Sequence, residues 1–521
     1  MNHQLFRPIR WLTDLLSRSR NLRNSVIPGF EFSVQALVLL ITTPIYLIKL
    51  GTANYGVWVL VQMVLGIGVL FSPGMSEATL KYVAKHRTTG DLTRAKAAIR
   101  TSWAVNLSLG ALLGGAIFLG ANELARLLIP EAGPDLALAA QAFRYASIGL
   151  VIQLSAAVFE AAMLGCERFD LNSGVNLTIT VALNACMTAA VLWGGGLIEM
   201  TLLSLLFLSI GALVKAFILR LRLLPGLTLL PKLDLAELRE MTSFGVFSWL
   251  NSAIGKIQHD GVIIIISASL GPAALSYFTI ATRILSQIQG FQRKTFGYLF
   301  PYSGRLFEEG KFQELERLFD DATLRVAVLT SAFVVPVTVF AYPLLETWID
   351  TEAAIHATLL MQLLSLRYAS VPLSIVNTNF LYGCGKVRAF TIFQTLSTLG
   401  IMTATYICTV RYGLLGVGYG QCFVLIFSVI NRIVVGRILF NRTLLLPHIC
   451  TTATTITPLI VLTLIWPPAI PGLIGLIFSF LLLSAVAAAF TLLLGWLRMR
   501  LLKHSNNGKA EPLAEGHTIT L

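Results

Sequence analysis

Several ionisable residues stand inside long apolar runs, where their side chains can bind anions or protons. Lys256, His259 and Asp260 share one such run, and the interval of four residues between Lys256 and Asp260 places both on one helix face. A charge in a bilayer core is costly and usually faces a cavity or a partner. These residues therefore form either a functional site or a pair of charges that neutralise each other.

Two later runs carry polar residues at helical spacing. Arg283, Gln287 and Lys294 recur at steps of four and seven residues, and a further run contains Arg367, Ser374 and Asn377. A polar stripe on an apolar helix is not expected to face lipid. It indicates that these helices line a cavity or form hydrogen bonds with other helices.

Amides and acids mark three other positions. Asn176 and Asn184 lie eight residues apart in one run, and Glu31 lies near the start of the first run. The asparagines suit either the lining of a cavity or helix packing. We expect Glu31, His259 and Asp260 to be the candidates for ion coupling.

The sign of the charges within the apolar runs indicates which kind of ligand the site prefers. Lys256, Arg283, Lys294 and Arg367 outnumber Asp260. A cavity lined in this way prefers an anion, and arginine in particular binds phosphate oxygens through paired donors. Basic residues near helix ends are expected to reach the lipid headgroups, and the role of Arg432 stays open. The basic residues expected to reach the lipid headgroups are Lys215, Arg325 and Arg437.

The elements that position these residues are membrane spans. Of 521 residues, 55% are apolar and 12% are charged, and the mean hydropathy is +0.76. Soluble proteins carry roughly 25% charged residues, so a soluble globular fold is excluded. At about 20 apolar residues per span, the chain can form about fourteen spans. We predict the following spans: 27–49, 54–72, 101–121, 138–164, 174–194, 197–219, 243–270, 273–300, 324–346, 356–381, 391–410, 414–437, 452–468 and 473–497.

The basic residues predict the orientation. The termini and the even-numbered connections hold 26 of the 39 lysines and arginines, whereas the alternate loops hold three. Cytoplasmic loops retain positive charge, so both termini are expected in the cytoplasm. The net charge of +13 therefore reflects membrane orientation, and no nucleic-acid partner is expected.

An internal repeat organises the spans. Leu50-Gly51 and Leu270-Gly271 each separate the first two spans of a set of six, and Gly165-Cys166 and Gly383-Cys384 each close a fourth span. We predict an all-α polytopic membrane protein with two parallel six-helix lobes around a central cavity and two additional C-terminal helices. The predicted segments are an amphipathic N-terminal segment 1–26, lobes 27–219 and 243–437, a linker 220–242, the additional helices 452–497 and a cytoplasmic tail 498–521.

Two short segments resemble a known family. The stretch Leu50–Trp58 with its Leu-Gly-Thr-Ala-Asn-Tyr-Gly pattern, and Gly165–Phe169, are similar to segments of the Wzx-type polysaccharide and O-antigen flippases. These belong to the multidrug, oligosaccharidyl-lipid and polysaccharide exporter superfamily. The resemblance implies a flippase that moves a polyprenyl-diphosphate-linked oligosaccharide across the bacterial inner membrane by alternating access. It also implies polysaccharide polymerase and glycosyltransferase partners, besides membrane lipids.

Other functions stay open as alternatives. A lipid II-type flippase would share a cationic cavity, and a multidrug cation antiporter of the same superfamily would need intramembrane carboxylates. We find no phosphate-binding GxxxxGK[ST], HExxH or nucleophile motif. The six cysteines show no metal-ligand spacing. We therefore expect no enzymatic activity, no metal and no cofactor.

Overall fold

The chain forms helices joined by short turns, and no strand occurs in the described part of the chain. A computed structural model describes the following residues: 20–72, 74–129, 136–440, 457–465 and 473–506. The helices, in chain order, are α1 Arg20–Gly66, α2 Met75–Thr88, α3 Leu92–Leu119, α4 Ala121–Leu128, α5 Leu136–Gly165, α6 Phe169–Leu192, α7 Leu197–Ile218, α8 Leu235–Thr295, α9 Leu299–Glu308, α10 Phe312–Val339, α11 Ala341–Trp348, α12 Thr351–Ala369, α13 Val371–Gly383, α14 Val387–Cys422, α15 Val424–Phe440, α16 at 457–465 and α17 Leu473–Asn506.

Ten helical segments within the described residues are long and apolar enough to cross a membrane. Three of them each contain two predicted spans, separated by a glycine with positive φ: Gly51 (79°), Gly271 (83°) and Gly413 (61°). An L side chain rarely adopts this backbone conformation, so glycine is needed at each break. The all-α membrane architecture predicted from the sequence is confirmed, including the positions of its Leu-Gly breaks.

Some predicted boundaries differ from the structure. The predicted connection 73–100 contains the whole of α2, and α8 begins at Leu235 within the predicted linker 220–242. Helix α17 continues to Asn506, into the predicted tail, because Arg498, Arg500 and Lys503 do not interrupt a helix. Most of the N-terminal segment 1–26 and parts of the span 452–468 lie outside the described residues.

The chain divides into two compact units. Unit 1 comprises Met1–Gln287, Trp348–Leu360 and Thr391–Gln421. Unit 2 comprises Ile288–Thr347, Met361–Phe390 and Cys422–Leu521. The lobe boundaries expected from the repeat stay predictions.

The core of unit 1 surrounds α5. Buried side chains of α5 such as Phe159 and Met163 pack with Val83 of α2, Ile99 of α3 and Leu219 after α7. A π-helical turn, Leu219–Leu223, follows α7 directly.

In unit 2, α10 packs against α17, where the Ser331 and Thr491 hydroxyls lie 2.6 Å apart. Gly304 of α9 meets the backbone of Gly383 in α13 at a distance that leaves no space for a Cβ atom. Small residues thus permit close helix packing, as is common between membrane helices.

Candidate functional site

The two Leu-Gly breaks bring segments of α1 and α8 together in unit 1. Gly56 lies so close to the Pro272 carbonyl that an added Cβ atom would overlap it. Ser276 donates a hydrogen bond to the carbonyl oxygen of Thr52. This approach lets Arg283 Nη2 donate to the Tyr55 hydroxyl at 3.0 Å, although the two residues are 228 positions apart in the chain.

A cavity of about 410 Å³ in unit 1 opens beside Arg283. Its wall combines aromatic, aliphatic, hydroxyl and amide side chains, and among the lining residues Arg283 alone carries a charge. Such a volume falls within the range of small-molecule sites. The polar lining residues are Thr42, Thr43, Tyr46, Gln62, Gln153, Asn184, Ser204 and Arg283.

Hydrogen bonds orient part of this wall. The Tyr46 hydroxyl lies 3.4 Å from Asn184 Oδ1 and 3.3 Å from Thr188 Oγ1. Asn184 Nδ2 donates to the Thr180 carbonyl at 2.8 Å. Asn184 lines this cavity, whereas the half-buried Asn176 of the same helix is not among the lining residues.

Arg283 itself retains hydrogen-bonding capacity. Its Nη2 is bound to Tyr55, and its buried Nε has no hydrogen-bond partner among the described residues. Gln287, one turn further along α8, is half-buried. Arg283 thus lines the cavity with one guanidinium nitrogen hydrogen-bonded to Tyr55, while its buried Nε has no partner among the described residues.

Lys256 and Asp260, in the first part of α8, form the predicted ion pair. Lys256 Nζ lies 3.0 Å from Asp260 Oδ2, and Asp260 is buried. The exposed His259 places Nδ1 3.0 Å from Asp260 Oδ1. The ammonium group of Lys256 lies next to Gly66, where a Cβ atom would be 2.8 Å from Nζ. Asp260 therefore neutralises Lys256, which leaves Arg283 as the cation available in unit 1 from the predicted set.

The predicted acid of the first span has a local partner. Glu31 Oε1 accepts a hydrogen bond from Gln35 Nε2 at 3.0 Å. Both residues lie near the start of α1 and are half-buried. Its predicted role in ion coupling stays a prediction.

The remaining predicted residues belong to unit 2. Lys294 is exposed, and the half-buried Arg367 lies over the Tyr368 ring, 5.8 Å from its centroid. Ser374 is exposed, but Asn377 is fully buried and its Oδ1 lies 3.4 Å from Arg432 Nη1. The four predicted cations are thus divided between the units, two in each, and their convergence on one cargo stays a prediction.

Arg432 is a buried cation whose role sequence reasoning left open. It is 1% exposed, and its guanidinium lies 3.7 Å from the centroid of the Phe319 ring. Its Nη1 donates to Thr323 Oγ1 at 2.8 Å, and its Nη2 lies 3.4 Å from Asp320 Oδ1. Partners from α10 and α13 thus fix this arginine of α15.

The prediction for Lys215 was wrong. It does not reach the headgroups but is 6% exposed, and its Nζ donates to Glu160 Oε2 at 2.7 Å. The expectation considered only the distance of Lys215 from its own helix end. The acid that holds it lies on α5, 55 residues earlier, so only the helix packing reveals the pair.

The comparisons with known proteins agree with this architecture. A profile of the family described as polysaccharide biosynthesis protein matches residues 50–352, more than half of the chain. A search of curated proteins with the sequence of this chain finds no match.

Solved structures share the fold at low identity. The lipid II flippase MurJ, in an inward closed conformation, aligns with a TM-score of 0.65 and 11% identity over 92% of this chain and 100% of its own. An inward-facing multidrug resistance MATE family transporter of the MOP superfamily aligns with a TM-score of 0.62 and 18% identity, over 82% of this chain and 96% of its own. A MOP superfamily transporter from Pyrococcus furiosus aligns with a TM-score of 0.53 and 17% identity, over 80% of this chain and 96% of its own.

These likenesses establish the fold alone, whereas the profile covers enough of the chain to establish the family. The multi-pass helical architecture and the MOP superfamily fold agree with that assignment. The chain belongs to the polysaccharide biosynthesis protein family.

Proposed function

We propose that the protein is a flippase that translocates a polyprenyl-diphosphate-linked oligosaccharide across the bacterial inner membrane by alternating access. Its products would serve the synthesis of a surface polysaccharide, either O-antigen or exopolysaccharide. The observation that carries this proposal is the unit 1 cavity, which combines one available cation, Arg283, with hydroxyl, amide and aromatic side chains.

The chemistry of this wall suits a glycolipid with a negative charge. Arg283 lines the cavity with a guanidinium, a group that suits a phosphate or carboxylate oxygen. Tyr46, Gln62 and Asn184 can exchange hydrogen bonds with sugar hydroxyls, and Trp58 offers an apolar ring face. Lys294 and Arg367 of unit 2 stay predicted contributors of positive charge.

Two related functions are less well supported. A multidrug cation antiporter would need a carboxylate at its cargo site, and the lining residues of this cavity include none. The buried Asp260 is already paired with Lys256. A lipid II-type flippase needs the same charges, so the length and composition of the transported glycan distinguish it.

Location and partners follow from the same proposal. The basic connections support an orientation with both termini in the cytoplasm. Glycosyltransferases would supply the lipid-linked unit on that side, and a polysaccharide polymerase would consume it on the other.

The test is translocation by the purified full chain in proteoliposomes. A polyprenyl-diphosphate oligosaccharide in the inner leaflet should become accessible to an external glycosidase when the protein is present. Arg283→Ala and Arg367→Ala should lose this activity, whereas Arg411→Ala, which changes an exposed arginine of α14, should keep it. Equal translocation by wild type and Arg283→Ala, or transport of an organic cation dye in place of the glycolipid, would overturn the proposal.

A further inference from the structure

A buried ion pair within unit 1 takes no part in the cavity described above. Lys215 of α7 is almost fully buried, and its Nζ donates to Glu160 Oε2 of α5 at 2.7 Å. The Glu160 side chain is 38% exposed. The cation is thus enclosed by protein, while its counter-charge can be reached from outside the unit.

The pair lies inside the apolar spans. Glu160 is five residues before the end of α5 at Gly165, and Lys215 is eight residues before Leu223, where the span of α7 ends. At 1.5 Å per residue these intervals correspond to about 8–12 Å of helix. Charges this far inside an apolar helix are costly, and they often mark sites of ion or proton movement.

A third helix adds a polar group beside the carboxylate. Asn172 of α6 is 5% exposed, and its Nδ2 lies 3.3 Å from Glu160 Oε1. Its buried Oδ1 has no hydrogen-bond partner among the described residues. This oxygen can accept a hydrogen bond, but only from a group that carries a proton, such as a neutral carboxylic acid.

Unit 2 contains a comparable buried cation whose partners differ in kind. Arg432 of α15 lies 3.4 Å from Asn377 Oδ1 of α13 and donates a hydrogen bond to Thr323 Oγ1 at 2.8 Å. Lys215 of unit 1 instead donates to the carboxylate of Glu160. A titratable group therefore holds the cation in unit 1, whereas an amide and a hydroxyl help to hold the cation in unit 2.

The consequence of adding one proton differs between the two sites. Protonation of Glu160 removes the charge that balances Lys215, and a buried cation without a counter-charge is strongly unfavourable. In unit 2, Thr323, Asn377 and the Phe319 ring hold the Arg432 guanidinium even if Asp320 is neutral. A single proton can therefore switch the pair in unit 1.

We propose that Glu160 is a proton-binding site that couples the proton gradient to transport, which rests on the flippase function proposed above. The proton adds to the Glu160 carboxylate to give a neutral acid, its O–H turns to a neighbouring acceptor such as Asn172 Oδ1, and the ion pair with Lys215 breaks. The unbalanced ammonium then favours a conformation in which Lys215 is hydrated.

The structure supplies an irregular element where this change can occur. The π-helical turn Leu219–Leu223 begins four residues after Lys215. Such turns depart from regular α-helical hydrogen bonding and are frequent at functional sites. A local rearrangement there would alter the burial of Lys215 without unfolding the span.

Other charged groups at this end of unit 1 have partners of their own. Arg87 Nη1 of α2 donates to the Cys166 carbonyl at 2.6 Å, and Arg168 forms two hydrogen bonds with Asp170. Arg220 and Arg222 after α7 are exposed. Lys215 is therefore the cation that responds directly to Glu160.

The site can be tested by infrared difference spectroscopy of the full chain in lipid nanodiscs as the pH is lowered. Wild type should show the C=O band of a newly protonated carboxylic acid, and Glu160→Gln should lose that band. Lys215→Met should displace the midpoint of the band, because it removes the charge beside the carboxylate. Asp320→Asn serves as the matched control and should leave the band unchanged.

A second variant keeps the test decisive if Glu160→Gln does not fold. Glu160→Asp retains a titratable group, and its shorter side chain should shift both the frequency and the midpoint of the band. A spectrum unaffected by either substitution, or a band that responds to sodium rather than to pH, would overturn the proton site.

Translocation separates this inference from the function on which it rests. Wild-type proteoliposomes should accelerate glycolipid movement under a pH gradient, and Glu160→Gln should remove the acceleration. A titrating Glu160 in a protein that moves no glycolipid would refute the flippase function alone. Glycolipid movement whose gradient dependence survives Glu160→Gln would refute the coupling alone.

Discussion

Arg283 in unit 1 and Arg432 in unit 2 show two different uses of an arginine within a membrane span. Arg283 has a hydrogen bond to Tyr55, lines a cavity and keeps its Nε without a hydrogen-bond partner among the described residues. Arg432 is held by Asp320, Thr323 and an aromatic ring and is almost fully buried. The partners of an intramembrane charge, rather than its presence, indicate whether it serves cargo or stability.

Removing Arg432 should give the largest loss of stability. Arg432→Met leaves Asp320 and Asn377 without their buried partner, and breaking such a pair costs about 3–5 kcal/mol. Thermal unfolding of the purified protein should reveal this loss, whereas Arg437→Met, an exposed position one turn later, should have little effect. If both variants unfold like wild type, Arg432 has no structural role.

Closing the gap between α1 and α8 should have the next largest effect. Gly56→Ala places a methyl group against the Pro272 carbonyl, and overpacking of this kind typically costs about 1–3 kcal/mol. Because Tyr55 is adjacent, the variant should also displace the partner of Arg283 and slow translocation. Gly115→Ala, where an added Cβ atom has open space, is the control and should match wild type in both measurements.

Tyr55→Phe should show whether the hydrogen bond between Tyr55 and Arg283 positions Arg283 or stabilises the fold. It removes a single hydrogen bond to Arg283, which contributes about 0.5–1.5 kcal/mol. We expect nearly normal unfolding but slower translocation, since Arg283 loses its orientation. Wild-type translocation by Tyr55→Phe would show that this hydrogen bond does not position Arg283 for cargo.

The smallest effect is expected at the surface of unit 1. The Lys85 ammonium, 2.8 Å from Glu240, and the Arg94 guanidinium hold the pKa of the Glu240 carboxyl below its usual value. Because the pKa is lowered in the folded state, Glu240 stabilises the protein above its unfolded pKa, and this contribution disappears as the pH falls through the folded value. Glu240→Gln should remove that small dependence of the unfolding temperature on acid pH, and an identical pH profile would contradict the assignment.

The sequence predicted the features that depend on local spacing. Apolar length predicted the spans, and the Leu-Gly pairs at Gly51 and Gly271 located two helix breaks because only glycine tolerates that backbone conformation. The interval of four residues predicted the Lys256–Asp260 pair.

Contacts between distant helices could not be predicted in this way. Tyr55 meets Arg283 only because Gly56 allows α1 and α8 to approach, and Lys215 meets Glu160 only because α5 and α7 pack together. Lys215 and Arg432 lie 217 residues apart, close to the 218 and 220 residues that separate the repeated Gly-Cys and Leu-Gly pairs, and this spacing was a sequence signal that could have linked the two cations. The spacing alone does not show which residues these two cations contact, because their partners come from other helices.

The most direct test of the central claim compares two replacements of Arg283 in the same proteoliposomes. Arg283→Lys keeps a positive charge but loses the paired donors, and Arg283→Gln loses the charge. With both variants folded as judged by thermal unfolding, we predict reduced glycolipid translocation for Arg283→Lys and none for Arg283→Gln. Translocation by Arg283→Gln at the wild-type rate would contradict the claim that the unit 1 cavity binds an anionic lipid-linked oligosaccharide through this residue.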